Sequence, residues 1–166
     1  MQWRKNKYSL TDELARLDLD AVCALLHSTY WAATRSRKLI AKSLQYSLNF
    51  GLFCGGAQVG FARLLTDFAT VGYLCDVIIS EEHRGKGIGK WMLSQILAHP
   101  GLRGCRIDLF TRSAQDFYRP FGFGPHVDKS LVRYPPDSKR GLRARESVEL
   151  SVGASSAGAS VRRRPS

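Results

Sequence analysis

Long apolar runs are absent from this 166-residue sequence, which has no stretch of the roughly 18 residues that a membrane-spanning helix needs. Its first residues, MQWRKNKYSLTDE, also lack the apolar stretch of a secretory signal. Hydrophobic residues nevertheless make up 44% of the chain, which is enough to bury a core. We therefore expect a cytoplasmic protein of one ordinary-sized domain, without a membrane partner.

Cysteines and histidines are few, and neither shows the spacing of metal ligands. The cysteines are Cys23, Cys54, Cys75 and Cys105. The histidines are His27, His83, His99 and His126. Most of the cysteines stand singly inside apolar runs, so we expect small buried hydrophobes rather than disulfides or a nucleophile. We expect no bound metal.

Acidic residues are also scarce, with 14 Asp and Glu against 25 Lys and Arg and a net charge of +11. A basic chain attracts polyanions such as nucleic acid, an anionic membrane or a phosphorylated cofactor. Charge does not choose among these, and a solvated basic face is the ordinary explanation. The sequence contains no recognised nucleic-acid motif, so nucleic acid is the least favoured partner.

The hydrophobic pattern predicts a mixed α/β domain with the order β-α-α-β-β-β-α-β-α-β-β. The predicted strands cover 7–12, two arms of a hairpin within 49–67, 69–80, 104–111, 122–128 and 130–135. The predicted helices cover 17–31, 35–48, 87–99 and 113–121. Asp18 is placed to cap the first helix, Gly55 and Gly56 permit the hairpin turn, and Asp67 is expected to cap the next turn. The strand at 69–80 has an apolar end typical of a strand covered on both faces.

The composition changes after residue 135. Residues 136–166 are rich in Ser, Ala, Gly and Arg and offer little to bury, so we expect a basic, flexible tail. A weak helix or strand within GLRARESVELSV would move the boundary. The expected organisation is a domain at 1–135 followed by a tail at 136–166.

The segment HRGKGIG, residues 83–89, lies between the predicted fourth strand and a helix. Glycine lets the backbone approach a ligand closely, and a helix start presents unpaired N–H groups with partial positive charge. Amides from Arg84 to Gly89 can therefore point at one anionic group such as a diphosphate, with Lys86 and Lys90 adding charge. A glycine-rich surface loop is the alternative.

Two commoner nucleotide motifs do not match this segment. A Walker loop needs G-x-x-x-x-G-K-[ST], but GKGIGKW has neither that spacing nor the hydroxyl residue. A dinucleotide fingerprint needs G-x-G-x-x-G early in a βαβ unit, whereas this segment has G-x-G-x-G after four predicted strands.

The longer segment VIISEEHRGKGIGKWML resembles the R-x-x-G-x-G/A signature of the GCN5-related N-acetyltransferase (GNAT) superfamily. DLFTRSAQDFYRPFGF resembles the family's second region, a strand followed by a helix with a tyrosine and then Gly-Phe. The resemblance covers roughly residues 8–134. One departure is Thr111, because many members have Asn seven residues before the tyrosine, Tyr118. Ala114, four residues before the tyrosine, is kept.

The resemblance implies a GNAT fold of the α/β (α+β) class. Its central sheet would be mixed, mostly antiparallel, six- to seven-stranded and splayed between strands 4 and 5, with about four helices. Acetyl-CoA would bind in that opening as co-substrate. Its pantetheine arm would pair with the backbone of Val77, Ile78 and Ile79, a role compatible with core packing of their side chains. The residues implied near its diphosphate are Arg84, Gly85, Lys86, Gly87, Ile88, Gly89 and Lys90.

Candidate catalytic groups follow from the same resemblance. Tyr118 matches the general acid that protonates the departing thiolate, and a core aromatic is the alternative. A main-chain N–H at Val77 or Ile78, near a bulge, would polarise the thioester carbonyl. Asp76 is the best sequence candidate for the base because it interrupts an apolar strand. A water chain could take the proton instead. A structural Asp76, whose carboxylate is hydrogen-bonded by nearby backbone or by an arginine, is equally supported.

Tyr30 and Trp31 lie in the link between the first two helices, which borders the acceptor side in this fold. They would form an aromatic wall for the acceptor, with core packing as the alternative. The resemblance thus implies an N-acetyltransferase that acts on a primary amine of a small molecule or protein by direct attack in a ternary complex. A monomer or homodimer is expected. The alternative function is a non-catalytic acyl-CoA-binding or sensing domain.

Overall fold

A six-stranded sheet with four α-helices forms the architecture of residues 1–125, which are the residues that the computed structural model describes. The strands are β1 (Gln2–Lys5), β2 (Tyr8–Thr11), β3 (Leu48–Cys54), β4 (Ala57–Thr66), β5 (Val71–Ile79) and β6 (Arg106–Asp108). The helices are α1 (Leu19–His27), α2 (Arg37–Gln45), α3 (Ile88–Leu97) and α4 (Gln115–Tyr118). The strands lie in chain order, and every neighbouring pair is antiparallel except β5–β6, which is parallel. This confirms the predicted mixed, mostly antiparallel sheet.

The sequence pattern missed β1. This strand pairs antiparallel with β2 through a turn in which Asn6 adopts a left-handed φ of 52°. Four residues with mostly exposed side chains carry little periodic signal, which explains the omission. The strand predicted as the fourth is therefore β5, and the splay predicted between strands 4 and 5 falls between β5 and β6.

Local capping signals were predicted correctly. The Asp18 carboxylate accepts hydrogen bonds from the N–H groups of Asp20 and Ala21, a cap worth about 1 kcal/mol. Gly55 and Gly56 both have left-handed φ angles and close the β3–β4 hairpin. The Asp67 carboxylate accepts from the N–H groups of residues 69–71 and so holds the turn into β5.

The sheet is covered on both faces, because neighbouring residues of a strand point to opposite sides. Phe61 and Ile78 face α1 and α2, whereas Leu64 and Ile79 face α3. The side chains buried beneath α1 and α2 include Val22, Leu26 and Ile40. Those contributed by α3 include Ile88, Met92, Leu93 and Ile96. The end of β5 is thus buried on both sides, as its apolar sequence predicted.

Several predictions concern residues at the edge of the described part or beyond it. β6 is only three residues long, shorter than the strand predicted at 104–111. The strands predicted at 122–128 and 130–135, the boundary at 135 and the tail at 136–166 extend past residue 125 and lie outside the described residues. Within 1–125, no helix is long and apolar enough to cross a bilayer, and no cluster of three His, Cys, Asp or Glu side chains could hold a metal.

Candidate active site

A cleft opens where β5 and β6 separate. β6 pairs only with Val71, Gly72 and Tyr73, and among residues 1–125 no strand pairs with the rest of β5, as far as Ile79, on that side. The cleft has a volume of about 660 Å³. Its lining residues are Val77, Ile78, Ile79, Arg84, Gly85, Gly87, Gly89, Lys90, Ala114, Phe117 and Tyr118. Residues from β5, the glycine loop, α3 and α4 therefore share one surface.

The glycine loop lines this cleft through Gly85 and Gly87. Gly85 and Gly87 have φ angles of 74° and 70°, a left-handed conformation that costs other residues energy. Gly87 is the N-cap of α3, and its carbonyl accepts the first helical hydrogen bond, from the Trp91 N–H. Among residues 1–125, the N–H groups of residues 85–90 have no hydrogen-bond acceptor. Such a row of amides at a helix start favours an anion.

Arg84 contributes differently from the expectation. Its backbone N–H donates to the carbonyl of Glu81, so the available amides begin at Gly85 rather than at Arg84. Its side chain donates from Nε to the carbonyl of Ile79 over 2.9 Å and ties the loop to the end of β5. Arg84 still lines the cleft and can supply positive charge there.

Two residues that were predicted to contact the diphosphate do not line the cleft. The Ile88 side chain is buried in the core beneath α3, although its backbone N–H is one of those without a hydrogen-bond acceptor among residues 1–125. Lys86 donates from Nζ to the carbonyl of Glu82 over 2.7 Å. Lys90, one turn further along, does line the cleft.

A β-bulge in β5 places Asp76 directly beside the cleft. The register with β4 shifts between Phe61 and Arg63, so Asp76 and Val77 together oppose one β4 residue. Asp76 has a φ of 55°, a conformation that Asp tolerates better than most residues.

The Asp76 carboxylate is enclosed by arginines, and only 2% of its side chain is exposed. Nη1 of Arg35 donates to both of its oxygens over 2.8 and 2.9 Å, and Nε of Arg63 donates over 2.6 Å. This is the arginine-satisfied arrangement that the sequence offered as one alternative for this residue. It ties the link between α1 and α2 to β4 and β5.

Tyr118 lies at the end of α4 and lines the same cleft as the end of β5. Its ring makes edge-to-face contacts with Phe117 at 4.9 Å and with Phe123 at 5.7 Å between centroids. Burial raises the pKa of the Tyr118 phenol, so the hydroxyl stays protonated at neutral pH. Thr111 accepts a hydrogen bond from the Ala114 N–H and shapes the turn before α4.

Tyr30 and Trp31 form an exposed aromatic pair. Their rings meet edge to face at 5.0 Å, with 64% of Tyr30 and 45% of Trp31 exposed. The alternative in which they pack into the core therefore does not describe them. The guanidinium of Arg112, from the loop between β6 and α4, lies 5.3 Å from the centre of the Tyr30 ring.

Four residues of this region were not singled out by the sequence pattern. Phe117 precedes Tyr118 in the sequence and lines the cleft beside it. Arg63 interrupts the apolar run of β4, a signal that could have suggested a buried acidic partner. Arg35 and Arg112 lie in connecting segments and carry no local signal, because only the fold brings them to Asp76 and Tyr30.

Comparison with known proteins identifies this arrangement. Residues 46–125 match the acetyltransferase (GNAT) domain family. A solved structure from Xanthomonas campestris, described as a candidate acetyltransferase of the GNAT family, is 35% identical with a TM-score of 0.74. The alignment covers 81% of this chain and 95% of that chain. The chain belongs to the GNAT family.

Two further proteins are similar to this chain. A Gibberella zeae protein named as a candidate acetyltransferase is 36% identical over 115 residues, which is 57% of this chain. The match spans 64% of that relative, slightly less than two thirds of its length. An acetyltransferase from Trypanosoma brucei is 22% identical with a TM-score of 0.59, covering 76% of this chain and 99% of that chain. That last likeness shows the fold alone.

GNAT membership accounts for the shape of the cleft. GNAT acetyltransferases use acetyl-CoA as co-substrate. The chain has the splayed β5–β6 pair and the glycine loop before α3 that the resemblance implied. Tyr118 of α4 and this loop line the same cleft.

Proposed function

We propose that this GNAT chain transfers the acetyl group of acetyl-CoA to a primary amine of a small molecule or protein. The observation that carries the proposal is the single cleft shared by β5, the glycine loop and Tyr118. Direct attack in a ternary complex is the simplest mechanism, because the cleft contains no cysteine or serine side chain that could carry the acetyl group. This last observation concerns the lining residues within 1–125.

The residues present suit the parts of acetyl-CoA. The free N–H groups of residues 85–90, with Arg84 and Lys90 beside them, suit a diphosphate. Within the part of the chain that the structure describes, the backbone of β5 beyond Tyr73 lacks a strand partner on the β6 side, so its N–H and C=O groups suit the amides of a pantetheine arm. The apolar side chain of Phe117 would pack against the same arm.

Acetyl-CoA would supply the acetyl group as an activated thioester. A main-chain N–H of Val77 or Ile78, next to the bulge, would donate to the thioester oxygen as negative charge develops there. Tyr118 would give its phenolic proton to the sulfur as the C–S bond breaks and the new C–N bond forms. Burial raises the pKa of Tyr118, so the phenol carries its proton when the sulfur departs.

The amine must also lose a proton, and Asp76 is the acid nearest the bulge. A proton would reach its carboxylate only in competition with the guanidinium groups of Arg35 and Arg63. A water chain to solvent requires no such exchange, and we favour it. Asp76 then holds the bulge and the α1–α2 link in place.

The decisive experiment combines acetyl-CoA calorimetry with a thiol-release assay on a broad amine panel. For Tyr118→Phe we expect kcat to fall by about 10²- to 10⁴-fold, because a general acid is lost, with an unchanged Kd for acetyl-CoA. Tyr46→Phe is the matched control, since Tyr46 is an exposed tyrosine that does not line the cleft.

Two results would oppose the proposal in different ways. Acetyl-CoA binding without turnover of any amine would favour the non-catalytic acyl-CoA sensor. Failure of acetyl-CoA to bind would contradict the cofactor assignment itself.

A further inference from the structure

Two chain segments that adjoin the cleft meet through a cation–π contact. The β6–α4 loop lines the cleft through Ala114, and Arg35 of the α1–α2 link binds Asp76, next to the cleft-lining Val77. The α1–α2 link carries Tyr30, Trp31 and Arg35, and the β6–α4 loop carries Arg112. The Arg112 guanidinium lies over the Tyr30 ring, so both segments contribute to one mixed aromatic and cationic surface. We call these four residues the acceptor frame.

The charge of this region is positive. Arg35 and Arg63 surround the single carboxylate of Asp76, which leaves one net positive charge in that cluster. Arg35 uses only Nη1 for Asp76, and 29% of its side chain remains exposed, so it has further donors to offer.

The acids closest in sequence to Arg112 do not neutralise it. Asp108 pairs with Arg106 at 3.0 Å, and Asp116 pairs with Arg119 at 3.3 Å. Arg112 itself has no carboxylate partner within residues 1–125 and rests on Tyr30 instead. The frame therefore offers an approaching ligand cations and aromatic rings, without a carboxylate to receive an ammonium group.

We propose that the acceptor is a primary amine that also carries an anionic group, a carboxylate or a phosphate. This inference rests on the proposed acetyltransfer. A guanidinium presents a planar fork of donors that matches both anions, so Arg112 and Arg35 would bind the anionic group. Tyr30 and Trp31 would pack against the apolar part of the acceptor.

The same positive charge suits the chemistry of the amine. Nearby cations disfavour the ammonium form and favour the neutral amine, which is the form that attacks a thioester. A polycationic acceptor would meet repulsion from the same arginines. The frame thus selects for anionic amines and against polyamines.

The test uses the full chain, a fixed saturating concentration of acetyl-CoA, and matched amines in the thiol-release assay. One pair is L-phenylalanine and L-phenylalaninamide, and the other is 2-aminoethyl phosphate and 2-aminoethanol. Spermidine represents polycations. We expect the preferred anionic member to exceed its neutral partner in kcat/KM by at least about tenfold, the value of one charge-assisted contact. Which pair shows the larger ratio distinguishes carboxylate from phosphate.

Variants assign the preference to the frame. Arg112→Gln should reduce the anionic-to-neutral ratio by about tenfold, since it removes the cation and keeps a polar side chain. Arg103→Gln is the control, because Arg103 is exposed, precedes β6 and does not line the cleft. It should leave the ratio unchanged. An unchanged ratio in Arg112→Gln would contradict the assignment to Arg112.

The possible outcomes separate the two proposals. If neutral amines or spermidine are preferred, the acceptor inference is wrong and acetyltransfer stands. If no amine releases thiol, calorimetry compares the affinities of phenylacetate and phenylacetamide for the acetyl-CoA complex. Tighter binding of phenylacetate supports the anion preference, and equal affinities overturn the inference. If acetyl-CoA itself does not bind, the proposed function fails first.

Discussion

Replacing Gly89 by alanine should stabilise the fold and weaken the binding of acetyl-CoA. Gly89 is the second residue of α3 and, unlike Gly85 and Gly87, has no left-handed φ. A Cβ added there would lie 3.4 Å from Phe117 and 3.5 Å from Ile79, which is ordinary van der Waals contact. Since alanine favours helices over glycine by about 1 kcal/mol, we expect a gain of about 0.5–1 kcal/mol in the free energy of unfolding.

The same methyl group would narrow the cleft. Gly89 lines it, and the new Cβ would bridge α3 to both α4 and β5, where acetyl-CoA is proposed to pass. We expect the Kd for acetyl-CoA to rise at least about tenfold, equivalent to about 1.4 kcal/mol. The midpoint temperature of thermal unfolding without ligand should rise by about 2–4 °C. Calorimetry with acetyl-CoA measures the expected rise in Kd.

Two further glycine substitutions provide controls. Gly87→Ala and Gly104→Ala each place a methyl at a left-handed φ, of 70° and 86°, with no atom within 4 Å of the new Cβ. Both should lose about 1–2 kcal/mol of stability, because alanine is strained there. Only Gly87 lines the cleft, so only Gly104→Ala should keep acetyl-CoA affinity. A Gly89→Ala protein that binds acetyl-CoA like the wild type would refute the placement of the ligand.

Three other perturbations test the remaining parts of the site and fold. Asp76→Asn keeps a residue that tolerates the left-handed φ but leaves two arginines without their carboxylate. Chemical denaturation should therefore show a loss of about 3 kcal/mol in the free energy of unfolding. Wild-type stability with a reduced kcat would instead favour Asp76 as the base. Hydrogen bonds from the turn lower the pKa of Asp67 below its usual 3.8. The ionised carboxylate therefore contributes its full stabilisation of the fold above pH 3.8, and this contribution is lost as the pH falls further. Asp67→Asn should therefore weaken the pH dependence of unfolding below about pH 4, and an unchanged acid profile would count against this. Lys90→Ala should weaken acetyl-CoA binding by about two- to fivefold in a salt-dependent manner, whereas Lys86→Ala should have no comparable effect on calorimetric affinity.

Features with local causes could be predicted from the sequence. The cap at Asp18, the hairpin turn at Gly55 and Gly56, and the Asp67 turn each depend on residues within a few positions. The glycine loop before α3 belongs to the same class, because left-handed φ angles and a helix start are written in adjacent residues. β1 escaped prediction because four mostly exposed residues carry no such signal.

The sequence by itself therefore determined the order of the elements from β2 to α4, the capped turns and the glycine loop, since neighbouring residues decide these through backbone conformation. Only the tertiary structure decided which groups meet across the site. Arg35 lies 41 residues from Asp76, and Arg63 lies 13 residues from it on another strand. The contact of Arg112 with Tyr30 also joins distant segments. The three-residue pairing of β6 with β5, which opens the cleft, likewise depends on how the whole sheet assembles.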